Sequence, residues 1–245
     1  FQFARDKETR REMGEHFTSE EYILRCINDL FLNDFNEKLR KAWNSPPALK
    51  KFQRDLGTYT FMDPACGSGN FLVVAYKRLR AIELKLIARI QELSGLDGQL
   101  QIDGSIGLQV HLSQFYGLEI DDWSSSIATV AMHLADHQAN LALEEITGVI
   151  PTRFPITESA TVRQDNALRV DWAEFCPIDE NTFIFGNPPF YGSTFQSDEQ
   201  KADTAKVWGN KVGSGLIDYV SNWFLIAAKW SNKTGFPFVI FAPKY

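Results

Sequence analysis

The stretch DPACGSGNF at residues 63–71 decides the fold that this sequence predicts. A β-branched and aromatic run, 58–62, precedes it, and an apolar segment with helical periodicity, 71–90, follows it. This order indicates a strand, a tight glycine turn and the start of a helix, which is where an α/β sheet binds nucleotide-like ligands. Gly67 and Gly69 can take positive φ and let a ligand approach the backbone. The helix that follows would offer free N–H groups and the positive end of its dipole.

Acidic residues stand at the ends of the first two predicted strands. Asp63 ends the strand before the glycine turn, and its charge suits a ligand that carries an amine. The second predicted strand, 114–120, contains Glu119 near its end and is followed by Asp121 and Asp122. In a doubly wound fold, a carboxylate at this position binds the ribose hydroxyls of a cofactor. The alternatives are a purely structural glycine turn and a solvated carboxylate at Glu119.

Composition and charge limit the classes of protein to which the chain can belong. Its 245 residues, 44% of them hydrophobic, can bury a sizeable core within one α/β domain. The formal charge of −6 gives no general basic field, so a nucleic-acid substrate requires a local patch or further polypeptide. Three separated cysteines argue against a disulfide framework or a zinc cluster and indicate a reducing compartment. No membrane span or signal peptide is visible, and the start at Phe1 suggests a piece of a longer protein.

The remaining segments continue the α/β pattern. An amphipathic helix is predicted from 18 to about 41, where Thr18 and Glu21 have the spacing of a capping box. Further strands are predicted at 161–164, 182–185 and 236–242. The helix after the second strand is expected to face the sheet with Ile127, Val130, Ala131, Leu134 and Leu141. The last helix is expected to bury Leu216, Tyr219, Val220, Trp223, Phe224 and Ala227.

Three polar segments between these elements are predicted to lack regular structure. Residues 94–113 are rich in glycine and are interpreted as a surface insertion. Residues 148–159 contain two prolines and are interpreted as a loop. Residues 193–211 are interpreted as a mobile loop on the substrate side of the molecule.

The tetrapeptide NPPF at 187–190 follows the fourth predicted strand. Its two prolines fix the backbone and remove two donors, so that nearby carbonyls remain as acceptors. The side-chain oxygen of Asn187 completes a two-acceptor cradle for an exocyclic amine, and Phe190 can stack on a flat base. These features match the amino group of an adenine turned out of a duplex. For an isolated tetrapeptide, an ordinary turn with a buried Phe is the alternative.

Five segments together resemble the motifs of amino-group DNA methyltransferases in the γ order. They are motif X at 14–19, motif I at 63–71, motif II at 116–121, motif III at 165–168 and motif IV at 186–190. More narrowly, the chain is similar to the methyltransferase portion of type IIG and IIL single-chain restriction–modification enzymes, from about residue 10 to its end. The resemblance implies an α/β fold of the class I S-adenosylmethionine-dependent methyltransferases, with a Rossmann-like doubly wound sheet truncated after the fifth strand. It divides the chain into an N-terminal connector and helix carrying motif X, 1–57, and an incomplete catalytic core, 58–245.

The resemblance also implies S-adenosyl-L-methionine as cofactor. By this resemblance, the methionine and ribose part of the cofactor would contact Asp63, Ala65, Gly67 and Gly69. Its carboxylate would contact Thr18, its ribose hydroxyls Glu119, and its adenine amino group Asp165. Ile120 and Asn166 complete the set of implied cofactor-binding residues. The implied catalytic residues are Asn187, Pro188, Pro189 and Phe190. The first two accept hydrogen bonds from the target N6, and Phe190 stacks on the flipped ring.

The implied activity is site-specific methylation of adenine N6 in double-stranded DNA. The implied polypeptide lies in the cytoplasm of a prokaryote and is fused to a target-recognition domain, with no membrane and no metal. Fusion to a nuclease domain as well is left open. His133 and His137, at i and i+4, offer a zinc pair, but no third ligand is near in sequence. The alternatives are a degenerate methyltransferase fold that only binds DNA, a methyltransferase acting on RNA or protein glutamine, and an NAD-dependent oxidoreductase. The last fits poorly because the glycine turn lacks a clean G-x-G-x-x-G.

Overall fold

A single parallel sheet organises the computed structural model, which describes residues 18–95, 107–148, 159–209 and 216–241. The strands lie in the order β3-β2-β1-β4-β5, and each neighbouring pair is parallel. Their bounds are Thr60–Asp63 (β1), Phe115–Glu119 (β2), Thr161–Gln164 (β3), Thr182–Gly186 (β4) and Phe238–Ile240 (β5). The strand order turns back between β1 and β4, which places the topological switch point of the sheet there.

Eight α-helices surround the sheet in the described residues. They are α1 (Glu20–Ile27), α2 (Asn33–Ala42), α3 (Pro46–Leu56), α4 (Asn70–Ser94), α5 (Asp122–Thr147), α6 (Trp172–Phe175), α7 (Asp198–Trp208) and α8 (Ser221–Thr234). A π-helical turn, Asn28–Leu32, joins α1 to α2. Short 3-10 turns occupy Leu112–Gln114 and Ser193–Phe195. No helix in these described ranges has the length and apolar character that crossing a membrane requires.

Alternating side chains of the central strands supply two apolar cores. In β1, Phe61 belongs to the core that α1 to α5 cover, whereas Met62 belongs to the core that contains Trp172 of α6. In β4, Phe183 and Ile184 repeat this alternation. The prediction of a doubly wound α/β sheet is therefore confirmed, since helical layers cover both of its faces.

Aromatic rings fix the N-terminal helical segment to the sheet. The ring of Phe31, in the π-helical turn, lies 5.1 to 6.3 Å from the ring centroids of Phe35, Phe61, Phe183 and Phe185. Such tilted ring pairs stabilise a core by more than the burial of their apolar surface alone accounts for. The predicted amphipathic helix through about residue 41 is thus confirmed, with the π-helical turn at its centre.

The prediction for the inward face of α5 is wrong. Val130, Leu134 and Leu141 are 59%, 57% and 48% exposed, whereas Ala128 and Met132 are fully buried. Periodicity shows which residues share a face of a helix, but it does not show which face turns inward. The side of α5 that contains Ala128 and Met132 faces the protein, and the side that contains Val130, Leu134 and Leu141 faces solvent.

The segment predicted as a mobile loop, 193–211, contains regular structure as far as residue 209. Helix α7 begins there with a capping box, in which the Ser197 hydroxyl accepts a hydrogen bond from the Gln200 N–H at 3.2 Å and the Gln200 side chain accepts one from the Ser197 N–H at 2.9 Å. Leu216 and Phe224, predicted to be buried, are exposed. Leu216 lies before α8 begins, so the helical spacing does not apply to it.

Several predicted features lie wholly or partly outside the described residues. These are the connector with the first part of motif X, 1–17, most of the predicted insertion, 96–106, and most of the predicted loop, 149–158. The glycines at 213 and 215, expected to open the last helix, also lie outside them.

Candidate active site

The motif residues lie at the carboxyl ends of three adjacent strands. Asp63 ends β1, Glu119 ends β2 and Asn187 directly follows β4. Since β1 pairs with both β2 and β4, these residues reach the same edge of the sheet at its switch point. Ligands of open α/β sheets bind at this position.

Two glycines with positive φ shape the turn between β1 and α4. Gly67 has φ of 53° and Gly69 has φ of 85°. A Cβ at Gly69 would lie 3.0 Å from the Cβ of Ala128, so this side of the turn packs directly on α5. A Cβ at Gly67 would meet no atom within 4 Å. The turn is therefore fixed on one side and open to a ligand on the other.

Two carboxylates hold this turn through its backbone N–H groups. Asp63 Oδ1 accepts a hydrogen bond from the Ala65 N–H at 3.0 Å. Glu119 Oε2 accepts one from the Gly67 N–H at 2.9 Å, and its Oε1 accepts one from the Asp121 N–H at 2.9 Å. The residues predicted from motifs I and II thus form one connected group.

The same two carboxylates create a site that favours a cation. Asp63 is 1% exposed, and its burial raises the pKa of the carboxyl to about 8, with a further contribution from the nearby Glu119 charge. Burial also raises the pKa of Glu119. A positively charged ligand would stabilise the ionised forms of both groups.

This burial predicts an unusual pH dependence of stability. The folded pKa of Asp63 is about 8, above the value of about 3.9 in an unfolded chain, so the folded state binds one more proton between these values. We expect the free energy of unfolding of the unliganded protein to fall with rising pH over this range, by at most about 1.4 kcal/mol per pH unit, and to level off above it. Urea unfolding of the native chain and of Asp63→Asn across this range measures the slope.

The control for this prediction is Asp198→Asn, which changes a carboxylate that is fully open to solvent at the start of α7. The Asp63→Asn variant should lose most of the slope, and the Asp198→Asn variant should keep it. Parallel curves for the native chain and Asp63→Asn would contradict the assignment of a high pKa to Asp63.

Gly186 lies beside Asp63, which is predicted to bind the cofactor, and directly before Asn187, which is predicted to be catalytic. A Cβ at this position would overlap Oδ1 of Asp63, so β4 can lie beside the carboxylate only because residue 186 lacks a side chain. Asn187 is the next residue. Gly186 was not among the predicted cofactor-binding or catalytic residues, although its place directly before NPPF was a signal that could have identified it.

Asn187 is oriented by Thr18 and presents an unpaired acceptor. Its Nδ2 donates a hydrogen bond to Oγ1 of Thr18 at 2.8 Å, and Thr18 is buried. Its Oδ1 is buried and has no hydrogen-bond partner among the described residues. A buried acceptor without a partner costs about 1 to 3 kcal/mol, which a ligand that brings a donor would recover.

The capping-box interpretation of Thr18 is wrong. Ser19 is the N-cap of α1, and its side chain caps no backbone N–H. The Thr18 hydroxyl is instead directed to the amide of Asn187, 169 positions later in the chain. The structure therefore brings the last part of motif X and motif IV into direct contact.

Polar contacts hold the segment after Asn187 on the face of the sheet that carries the core containing Trp223. The Tyr191 carbonyl accepts hydrogen bonds from the Tyr219 N–H at 3.0 Å and from Gln196 Nε2 at 3.1 Å. Pro188 is buried, and Phe190 is half-buried against the core that contains Trp223. Packed side chains of this core thus support the ring of Phe190, which is predicted to stack on a base.

Motif III lies beside motif II. The Asp165 N–H donates to the Glu119 carbonyl at 2.8 Å, and Ile120 exposes most of its side chain next to them. The Asn166 side chain is engaged within the protein, since its Nδ2 donates to Oδ2 of Asp203 at 2.9 Å. Asp203 also accepts from Arg169 Nε at 2.7 Å. It was missed in sequence because nothing distinguishes it from the other charges of a polar segment.

Trp223 is a second residue that sequence reasoning did not assign to the site. Its Nε1 donates to the Pro64 carbonyl at 3.0 Å, and both groups are buried. This contact holds the first residue of the glycine turn from below the sheet. Within the described residues, His, Cys, Asp and Glu side chains form no cluster of three that could hold a metal ion.

Comparison with known proteins places this geometry in a family. Residues 39–242 match the model of the MmeI DNA-methyltransferase domain. The chain belongs to the MmeI DNA-methyltransferase domain family. The match covers all the described strands and includes motifs I to IV. The sequence resemblance to amino-group DNA methyltransferases is confirmed, and the oxidoreductase alternative is excluded.

Two longer proteins are similar to this MmeI-type methyltransferase domain over nearly its whole length. DNA methyltransferase A of Bacillus subtilis strain 168 is 37% identical over 236 residues, which are 95% of this chain and 26% of that protein. A solved structure of the type IIL restriction-modification enzyme MmeI in complex with DNA is 35% identical, with a TM-score of 0.85, and the match covers 96% of this chain and 31% of that chain. The chain thus spans about a quarter to a third of the length of these relatives.

Proposed function

We propose that this methyltransferase domain transfers a methyl group from S-adenosylmethionine to N6 of an adenine in double-stranded DNA, as part of a longer restriction–modification enzyme. The observation that carries the proposal is the buried, unpaired Oδ1 of Asn187. An amide oxygen held in this way needs a donor, and an exocyclic amine supplies one. Gly186 places this acceptor next to the carboxylate of Asp63.

The residues at the ends of β1 and β2 fit S-adenosylmethionine. The cofactor carries an amine and a sulfonium, and the buried carboxylates of Asp63 and Glu119 favour positive charge. The open side of Gly67 gives it access to the backbone, and exposed Ile120 offers an apolar surface for a flat ring. When bound, the cofactor supplies an electrophilic methyl group.

The residues after β4 prepare the nitrogen that receives this methyl group. The lone pair of adenine N6 is conjugated into the ring, which makes the nitrogen a poor nucleophile. A hydrogen bond from N6 to Asn187 Oδ1 favours a more tetrahedral nitrogen, and Thr18 keeps the amide in the orientation that offers this oxygen. Holding the nitrogen in line with the methyl group supplies much of the remaining acceleration. The nitrogen would bond to the methyl carbon as the carbon–sulfur bond breaks. The electron pair of that bond would stay on sulfur, which leaves as a neutral thioether, and the nitrogen would release one proton to water.

The remainder of the proposed enzyme would supply most of the affinity for DNA. The net charge of −6 makes this chain a weak binder of a phosphate backbone by itself. The MmeI relative is a much longer polypeptide solved in complex with DNA. We infer that a target-recognition domain accompanies this chain in a cytoplasmic enzyme.

Analysis of methylated bases tests the proposal. The full-length enzyme is incubated in parallel with unmodified bacterial DNA, RNA and protein, each with S-adenosylmethionine that carries an isotopically labelled methyl group. One part of the DNA is then hydrolysed to nucleosides, and another part is kept intact and sequenced to locate the modified bases. We expect the label in N6-methyladenosine derivatives, at one position of one recurring sequence. Label in N4-methylcytosine, in RNA or in protein glutamine would overturn the adenine assignment. Absence of transfer despite cofactor binding would favour a scaffold that only binds DNA.

A further inference from the structure

Helix α5 exposes an apolar stripe that nothing in the described residues covers. The stripe consists of Trp123, Ile127, Val130, Leu134 and Leu141. Trp123 is 59% exposed, and Ile127 is partly exposed. Four of these side chains, from 123 to 134, follow one another on one side of the helix. Such a row differs from scattered surface apolar residues, which need no explanation, and it marks an interaction surface.

The spacing of the stripe matches the contact face of a helix pair. Its members from 123 to 134 follow one another at intervals of four, three and four residues, which is the heptad pattern of two packed helices. Leu141 lies one heptad beyond Leu134, and the exposed polar residues His137 and Gln138 stand between them. At 100° per residue the members of the stripe point in nearly one direction, opposite to Ala128, Met132 and Ala135, which are buried against the protein. The stripe extends over about 27 Å of helix.

Charge is absent from the outward side over this length. Between residues 123 and 141, Asp136 is the one charged residue in the sequence. It belongs to the inner side, where its Oδ1 accepts hydrogen bonds from the Tyr76 hydroxyl and from Arg80. A helix that remained in water would carry charges on this side. The outward side therefore resembles the buried side of a surface helix.

The size of the stripe favours a tethered partner over a second copy of the chain. Trp123 alone presents roughly 90 to 150 Å², since it is 59% exposed and a whole aromatic side chain contributes about 150 to 250 Å². With its four smaller aliphatic members, the stripe presents on the order of 400 Å² of apolar surface. A stable association between separate proteins usually needs about 800 Å² from each partner. A helix of the same polypeptide needs less, because tethering gives it a high effective concentration. The relatives in the family are three to four times as long as this chain, so they contain ample polypeptide for such a helix.

We propose that the α5 stripe is the docking surface for an amphipathic helix of the full-length enzyme that lies outside these 245 residues. This inference rests on the proposed function in one respect, namely that the chain is part of a longer enzyme. The partner helix would carry Leu, Ile or Val at heptad spacing and pack lengthwise along α5. The stripe would then fix the methyltransferase domain to its neighbour on the side of the sheet where β3 is the edge strand.

Thiol labelling of Leu134→Cys tests this proposal. The variant is made in the full-length enzyme and in the 245-residue chain, and the rate of reaction with a maleimide at residue 134 is followed by peptide mass spectrometry. We expect the full-length enzyme to react at least about tenfold more slowly than the 245-residue chain, because an opening step must precede the reaction. Lys85→Cys, at an exposed position on α4, provides the reference rate in each protein.

Two results would overturn the proposal. Equal reference-corrected rates in the two proteins would show that the stripe is free in the full-length enzyme. Slow labelling in the 245-residue chain, together with a dimer in sedimentation that Leu134→Glu dissociates, would show that the partner is a second copy. Neither readout depends on methyl transfer, so failure of this inference is separate from failure of the proposed function.

Discussion

Replacement of Asn187 with alanine is expected to lower the rate of methyl transfer by about 10² to 10³-fold while leaving the affinity for S-adenosylmethionine within about threefold. The buried side-chain oxygen that would accept a hydrogen bond from the target amine is lost. The cofactor residues of β1 and β2 make their contacts independently of this side chain. Single-turnover methylation by the full-length enzyme measures the rate, and calorimetric titration measures the affinity.

Two variants separate the chemistry of Asn187 from its position. Asn187→Asp keeps an acceptor oxygen, and the Thr18 hydroxyl can donate to it, so this variant should retain more activity than Asn187→Ala. Thr18→Val leaves the amide present but unsupported, and we expect a loss of about tenfold. If Asn187→Ala kept more than a tenth of the native rate, the assignment of Asn187 as a catalytic residue would be wrong.

The sequence could predict those parts of this site in which a local conformation requires a particular residue type. The glycine turn at 63–71 demands positive φ at two positions, and the structure has it at Gly67 and Gly69. Glu119 and Asn187 follow apolar runs that have the length of strands, and parallel strands bring their carboxyl ends to one edge. Local patterns of this kind determine where a strand ends, and therefore where its last side chain can act.

The parts that could not be predicted depend on contacts between distant segments. The bond between Thr18 and Asn187 joins residues 169 positions apart, so the local capping pattern around Thr18 could not indicate it. The outward turn of Leu134 depends on the close packing of Ala128 against Gly69, which no helical period reveals. Size and polarity define the two sides of a helix, and the neighbouring elements decide which side is buried.

Replacement of Gly186 with alanine is expected to weaken S-adenosylmethionine binding by at least about tenfold and to destabilise the fold by about 1 to 3 kcal/mol. The new methyl group would overlap Oδ1 of Asp63. That carboxylate is buried and bonded to the Ala65 N–H, so it cannot move without releasing the glycine turn. Cofactor titration and urea unfolding measure the two effects.

Gly192→Ala is the matched control for Gly186→Ala, because it adds the same methyl group six residues further along the chain, in the segment that follows β4. Its Cβ would lie 3.7 Å from the Phe195 ring, an ordinary contact, so we expect native cofactor affinity. Combination with Asp63→Ala tests the cause: once the carboxylate is absent, Gly186→Ala should cost little further stability, and the two changes should be strongly non-additive. Additive losses would mean that Gly186 acts through something other than Asp63. The pair would then no longer link the proposed cofactor site to the acceptor at Asn187.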